Sequence, residues 1–198
     1  MGRKLREWYE EKTIKIGRML MKTRLEPNHL TIFSLIPALA SFLLVSKAML
    51  WQGLIFFLLS VSMDILDGSL ARASKKTTRF GKLLDHYVDR CVESLYLIGL
   101  TAGRYIPGWM GALAVLSDIS PSYIRARGEA EINVQAMSVG LFERKEKIGV
   151  VAVGSIVESF YPGAVSIAVA ILIVGSLMTS VQRLLFFKKA ESSNHRNS

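Results

Sequence analysis

Apolar residues in this chain gather into long runs separated by short polar stretches. Runs of this length are too long for strands and close to what a helix needs to cross a bilayer. Six are read along the chain, at residues 30–50, 53–71, 81–100, 107–124, 148–160 and 165–186. They predict an all-α, polytopic membrane protein with six transmembrane helices. The fifth run is short and the fourth holds Asp118 and Pro121, so re-entrant or partly cytosolic helices are the alternative there. Ahead of these runs, residues 1–22 alternate Arg3, Lys4, Arg6, Lys12, Lys15 and Arg18 with Leu5, Trp8, Tyr9, Ile14, Ile16, Met19 and Leu20. That alternation predicts an N-terminal amphipathic juxtamembrane helix, lying on the membrane surface or packed on the protein's own cytosolic side. Residues 27–187 then form one membrane domain, and 188–198 a basic, disordered cytosolic tail.

Charge adds an orientation. Hydrophobic residues make up 51% of the chain, yet its formal net charge is +9, a combination that suggests a basic membrane face rather than a nucleic-acid binder. In the six-span reading only Lys47 and Arg104 fall on one side, and the remainder of the 25 Lys and Arg lie on the other. The positive-inside rule therefore places both termini in the cytosol of a multi-pass cell-membrane protein. The lone cysteine, Cys91, excludes an intrachain disulfide and suits a small core position.

Chemistry concentrates between the second and third runs. Asp64 and Asp67 are three residues apart, with Gly68 and Ala71 on the same helical stripe, and Gly81, Asp85 and Asp89 recur at intervals of four. Two carboxylate pairs can thus meet across a helix seam, where Gly68, Ala71 and Gly81 permit close backbone approach. Four packed acids repel one another unless a cation sits among them. Oxygen ligands favour a hard ion, Mg²⁺ or Mn²⁺, and four acids suit two such ions. The plainer alternative is ion pairing with Arg72, Arg79, Lys82 and Arg90, but pairing does not require small residues at matched spacing. His29 and His86 lack a second His or Cys at ligand spacing and read as local hydrogen-bonding residues.

The pattern Asp64-x2-Asp67-Gly68-x2-Ala71-Arg72-x8-Gly81-x3-Asp85-x3-Asp89 resembles the complete signature of the CDP-alcohol phosphatidyltransferase family. The resemblance implies an integral membrane enzyme with two divalent metals that displaces CMP from a CDP-linked lipid by an alcohol. It makes Asp64, Asp67, Asp85 and Asp89 metal ligands, with Asp89 also the catalytic base. Asn28 and Thr31, in Pro27-Asn28-x-x-Thr31, resemble the segment that helps hold the cytidine nucleotide, although helix capping alone can account for both. Gly68, Arg72 and a hydroxyl of the basic 72–79 turn, Thr78 ahead of Ser74 and Thr77, are implied contacts to the CDP moiety. A solvated loop against anionic headgroups is the bland reading of that turn.

The later chain bears on the acceptor. Ser122-Tyr-Ile-Arg125-Ala-Arg127-Gly-Glu129, Leu141-Phe-Glu-Arg144 and Val181-Gln-Arg183-Leu are similar to the corresponding parts of phosphatidylinositol-phosphate and archaetidylinositol-phosphate synthases. There a basic residue at each place binds the phosphate of myo-inositol 1-phosphate, which implies that role for Arg125, Arg144 and Arg183. Arg125 stands where that subfamily often has Lys. Guanidinium forks at the ends of three spans suit a phosphate dianion, while positive-inside anchoring also places arginines there. Asp118 needs a buried partner, conceivably one of these arginines. The implied donor is CDP-diacylglycerol or CDP-archaeol, and the implied assembly is a homodimer. Phosphatidylglycerophosphate synthesis from glycerol 3-phosphate is the competing enzymatic reading, and a cation transporter with intramembrane carboxylates the competing class.

Overall fold

The computed structural model of the protein describes residues 26–74, 77–136 and 139–194. Every regular element among them is helical: α1 (Pro27–Phe33), α2 (Leu35–Ser46), α3 (Leu50–Ser74), α4 (Arg79–Ala102), α5 (Gly108–Ile132), α6 (Arg144–Val157) and α7 (Ala164–Asn194). The expected N-terminal helix at 1–22 lies outside the described residues. The chain divides into two compact units, Met1–Gly99 and Leu100–Ser198.

In the first unit α1 and α2 run on through Ser34, which keeps right-handed helical dihedrals. Pro37 has no N–H to offer Phe33, so the backbone ladder lapses at this turn. Ser60 of α3 donates to the Ser34 carbonyl at 2.8 Å. Lys47, Ala48 and Met49 return the chain tightly to α3, with Ala48 at a left-handed φ of 61°. Small residues then bring helices together: a Cβ on Gly99 would lie 3.3 Å from the Phe42 backbone. Phe57 of α3 stacks on Tyr96 of α4 with ring centroids 4.3 Å apart, and both rings are buried.

In the second unit α7 packs against both α5 and α6. The Glu158 carboxylate accepts from the Gly163 and Val165 amides, satisfying N–H groups that the start of α7 would otherwise leave open. Gly154 of α6 meets Ala168 of α7, a small-on-small contact of the kind that suits helices in lipid.

Among the described residues, three helical stretches are long and apolar enough to cross a membrane: Pro27–Ser46, Leu50–Ser74 and Ala164–Ser192. The six runs fall mainly on helices, but the helices of the first and fifth stop short of 50 and 160, at Ser46 and Val157, and elsewhere helix ends overrun the hydropathy. The fourth run was expected to end at 124, whereas α5 continues to Ile132. Its added turns are polar and carry i,i+4 pairs, Arg125–Glu129 at 3.0 Å and the exposed Arg127–Glu131. Likewise the expectation of a disordered tail from residue 188 is corrected: α7 stays helical to Asn194. Lys188, Lys189 and Glu191 are competent helix formers, and Ser192 bonds back to the Lys188 carbonyl. Residues 195–198 lie outside the described residues.

Candidate active site

The site in the first unit begins with the way α1 starts. Pro27 occupies the first helical position, where its missing N–H costs nothing, and Glu26 is the N-cap without a side-chain cap bond. The capping roles open to Asn28 and Thr31 in the sequence are thus not the ones they take. Both sit inside the helix and line a cleft. Buried Thr31 donates its hydroxyl to the Asp67 carboxylate at 2.5 Å, tying α1 to α3.

Across the seam, Thr78 caps α4: its Oγ1 accepts the Gly81 amide at 2.9 Å. The hydroxyl proton is left to donate elsewhere. Gly81 is held to glycine by its surroundings, since a Cβ would stand 3.0 Å from both Asn28 Oδ1 and Thr78 Oγ1. Gly68 makes similar room for Arg72, whose Nη1 would lie 3.3 Å from a Cβ there.

Two groups of ligand atoms result. One oxygen each from Asp64, Asp67 and Asp85 falls within a 4.8 Å cluster, and so do ligand atoms of Asp85, His86 and Asp89. Asp85 belongs to both. Helical spacing on α3 and α4 accounts for this: i,i+3 and i,i+4 residues share a face, and the two faces oppose. Asp67 and Asp89 are both buried, where carboxylates without a cation are costly. The donor set therefore fits a hard divalent ion, with a ring nitrogen of His86 at hand in the second group. Spacing gave no reason to include His86, because its partners are carboxylates rather than a second His or Cys.

The cleft has a volume of about 280 Å³. All five residues expected to contact the nucleotide line it: Asn28, Thr31, Gly68, Arg72 and Thr78. Asp67 and Asp85 also stand on its wall, so carboxylates and a guanidinium share one depression. Two further wall residues are Thr77, ranked below Thr78 in the sequence, and Lys82, weighed there only as an ion-pair partner. Lys82 was recoverable: it lies one turn past Thr78 and one turn before Asp85 on the same face of α4. Ser74, by contrast, bonds back to the Leu70 carbonyl at 2.7 Å.

The three arginines expected at the acceptor all lie in the second unit, on different helices. Arg125 Nε donates to Glu129 at 3.0 Å. Arg183 is buried and donates to the carbonyls of Pro121 at 2.6 Å and Val139 at 2.9 Å. Burial pushes the Glu129 carboxyl upward, but the Ala136 amide, Arg125 and the charge of Arg183 outweigh it and hold the group below its ordinary value. Glu129 thus pairs with Arg125 and feels the charge of Arg183. Arg144 opens α6, after a loop that α7 grips: the Leu141 amide donates to Gln182 and the Phe142 amide to Thr179. Asp118, for which one of these arginines was a candidate partner, pairs with a lysine. Lys147 of α6 reaches its carboxylate at 2.9 Å and its carbonyl at 3.0 Å.

Comparison with known proteins bears on these features. A family model for CDP-alcohol phosphatidyltransferase matches residues 24–182. The chain is 30% identical over 187 residues to an archaetidylinositol phosphate synthase from Pyrococcus horikoshii, covering 94% of this chain and 96% of that one. An uncharacterized protein of Aquifex aeolicus is 34% identical, with 96% of each chain covered. Among solved structures, Mycobacterium tuberculosis phosphatidylinositol phosphate synthase with CDP-DAG bound superposes with a TM-score of 0.80 at 30% identity, over 88% of this chain and 92% of that one. The same enzyme in complex with manganese and citrate gives the same score, covering 88% of each chain.

Proposed function

The chain belongs to the CDP-alcohol phosphatidyltransferase family, and from that premise we propose that it makes an inositol phosphate lipid. It transfers a phosphatidyl-type group, built on diacylglycerol or archaeol, from a CDP-linked lipid to myo-inositol 1-phosphate and releases CMP. One observation carries the donor half: the cleft joins Asp67 and Asp85 to Arg72 and to hydroxyl and amide side chains, the complement of a metal-bound nucleoside pyrophosphate. The names of the P. horikoshii and M. tuberculosis relatives support the acceptor half.

Asp64, Asp67, Asp85 and Asp89 would hold two divalent cations, Mg²⁺ or Mn²⁺. Such ions neutralise a pyrophosphate and make the phosphorus under attack more electrophilic. Asn28, Thr31, Gly68, Arg72 and Thr78 hold the CDP moiety. Asp89 accepts the proton of the attacking inositol hydroxyl. The new bond forms to the lipid-bearing phosphorus as its bond to the CMP oxygen breaks, and CMP leaves with that electron pair. Arg125, Arg144 and Arg183 take the acceptor's phosphate.

The protein crosses the cell membrane six times in this proposal, with both termini and the site cytosolic, and works as a homodimer. Of the helices outside the three strongly apolar spans, α4 carries Asp85, Asp89 and Glu93, and α5 carries Asp118 with a polar end. α6 has 14 residues, so it reaches about 21 Å and needs the turn after it to complete a crossing.

The deciding experiment incubates the purified protein and Mn²⁺ with CDP-lipid plus either myo-inositol 1-phosphate or glycerol 3-phosphate. Mass spectrometry then identifies the lipid formed. Release of CMP with the inositol acceptor, abolished by a chelator and restored by Mn²⁺, is the expected result. Product from glycerol 3-phosphate alone would replace the assignment with phosphatidylglycerophosphate synthesis. An absence of metal-dependent CMP release would remove the enzymatic reading.

A further inference from the structure

Asp118 and Lys147 form a buried ion pair in the second unit that the proposed chemistry does not use. Side chains of both are almost wholly inaccessible, and their 2.9 Å contact joins α5 to α6. A buried pair seldom adds net stability over well-packed apolar residues, so its presence calls for another reason, and fixing register is the best-attested one. The surroundings supply what is being registered. Arg144 lies three residues before Lys147 and therefore one turn away on the same side of α6. Arg125 lies seven residues after Asp118, two turns along the same side of α5.

The local backbone makes the link specific rather than a chance encounter of charges. Pro121 stands inside α5 and has no N–H to give to the Ser117 carbonyl, so the backbone ladder is interrupted in the preceding turn. Lys147 donates to the Asp118 carbonyl in that turn as well as to its carboxylate. Arg183 donates to the Pro121 carbonyl. Two cations from α6 and α7 thus close on the same interrupted stretch of α5. The loop leading to Arg144 is gripped by Thr179, Gln182 and Arg183 of α7. Arg144 is therefore held from behind by α7 and from within α6 by Lys147.

We infer that the Asp118–Lys147 pair is a positioning device that sets the axial register of α5 against α6, and so the spacing of Arg125 and Arg144 for a phosphate dianion. The inference rests on the proposed acceptor role of these arginines. In this assignment Asp118 and Lys147 act through the arginines rather than on the acceptor itself.

The test compares the wild type with Lys147→Met and with the double variant Asp118→Ala/Lys147→Met. The double variant removes both charges of the pair, so neither is orphaned by loss of the other, and it stands in if the single variant fails to fold. KM for myo-inositol 1-phosphate, KM for CDP-lipid and the thermal unfolding midpoint are measured for each. A folded double variant should show a KM for inositol 1-phosphate raised about tenfold with the CDP-lipid KM unchanged, because a small displacement of a binding group costs affinity at that group alone. Lys147→Arg, which keeps a cation able to span both Asp118 oxygens, should recover most of the loss. An unchanged acceptor KM in the folded double variant overturns the inference, as does a parallel rise of both KM values, which a general loosening of the fold would cause. Failure of the wild type to use inositol 1-phosphate strikes the assigned acceptor instead, and is seen before any variant is made.

Discussion

Thr31 illustrates how one hydrogen bond can link α1 to the carboxylate cluster on α3. Its hydroxyl donates to Asp67 Oδ2 at 2.5 Å, with both residues only 5% exposed. Thr31→Val keeps the shape and removes the donor. A hydrogen bond to a charged group contributes about 1.5–3 kcal/mol, and 1.4 kcal/mol is a factor of ten. If the bond aims the carboxylate, its loss should weaken metal binding by about 10–100-fold, the usual effect of removing an outer partner of a ligand. The assay is a Mn²⁺ titration of CMP release at saturating CDP-lipid and acceptor, beside direct Mn²⁺ binding to the protein. Thr31→Ser retains the hydroxyl and should stay near the wild type. A Mn²⁺ midpoint for Thr31→Val within about twofold of the wild type would refute the reasoning. A raised CDP-lipid KM alongside that unchanged midpoint would make Thr31 a nucleotide contact only.

Other consequences are equally direct. Asp89→Asn should abolish turnover while leaving the thermal unfolding midpoint close to the wild type; retained CMP release would remove Asp89 as the base. Gly128→Ala places a methyl inside contact distance of the buried Phe187 ring, one turn from Arg183, and should lower stability by about 1–3 kcal/mol in a thermal or denaturant unfolding series. Glu129 has its carboxyl held below the ordinary value. Its attraction to Arg125 and Arg183 is therefore fully present above about pH 4.3, the unperturbed carboxyl value, and is lost as pH falls through the lowered one. Glu129→Gln should flatten the acid limb of the stability profile, and an unchanged limb would assign acid sensitivity elsewhere.

The aspartates were legible in the sequence because their arrangement is local. Asp64 with Asp67, and Asp85 with Asp89, share faces by helical period alone, and α4 starts at Arg79 soon after α3 ends at Ser74. Gly68, Arg72 and Thr78 came instead from the resemblance to the family signature, and all three line the cleft. Helix ends were less legible: hydropathy marks where a chain meets water, whereas α5 and α7 continue as helices into polar sequence. Asn28 and Thr31 were ambiguous between capping and binding. Only the start of α1 at Pro27, one residue before Asn28, removed the capping alternative.

Periodicity and composition by themselves determined the class of molecule, the helices and the acidic stripe, since each depends on residues within a few turns of one another. Contacts between residues far apart in the chain were decided by tertiary packing. Thr31 finds Asp67 at a separation of 36 residues, and Asp118 finds Lys147 at 29. No spacing rule selects among the many lysines and arginines available to Asp118. The choice follows from which helices pack: α6 brings Lys147 to both the carboxylate and the carbonyl of Asp118.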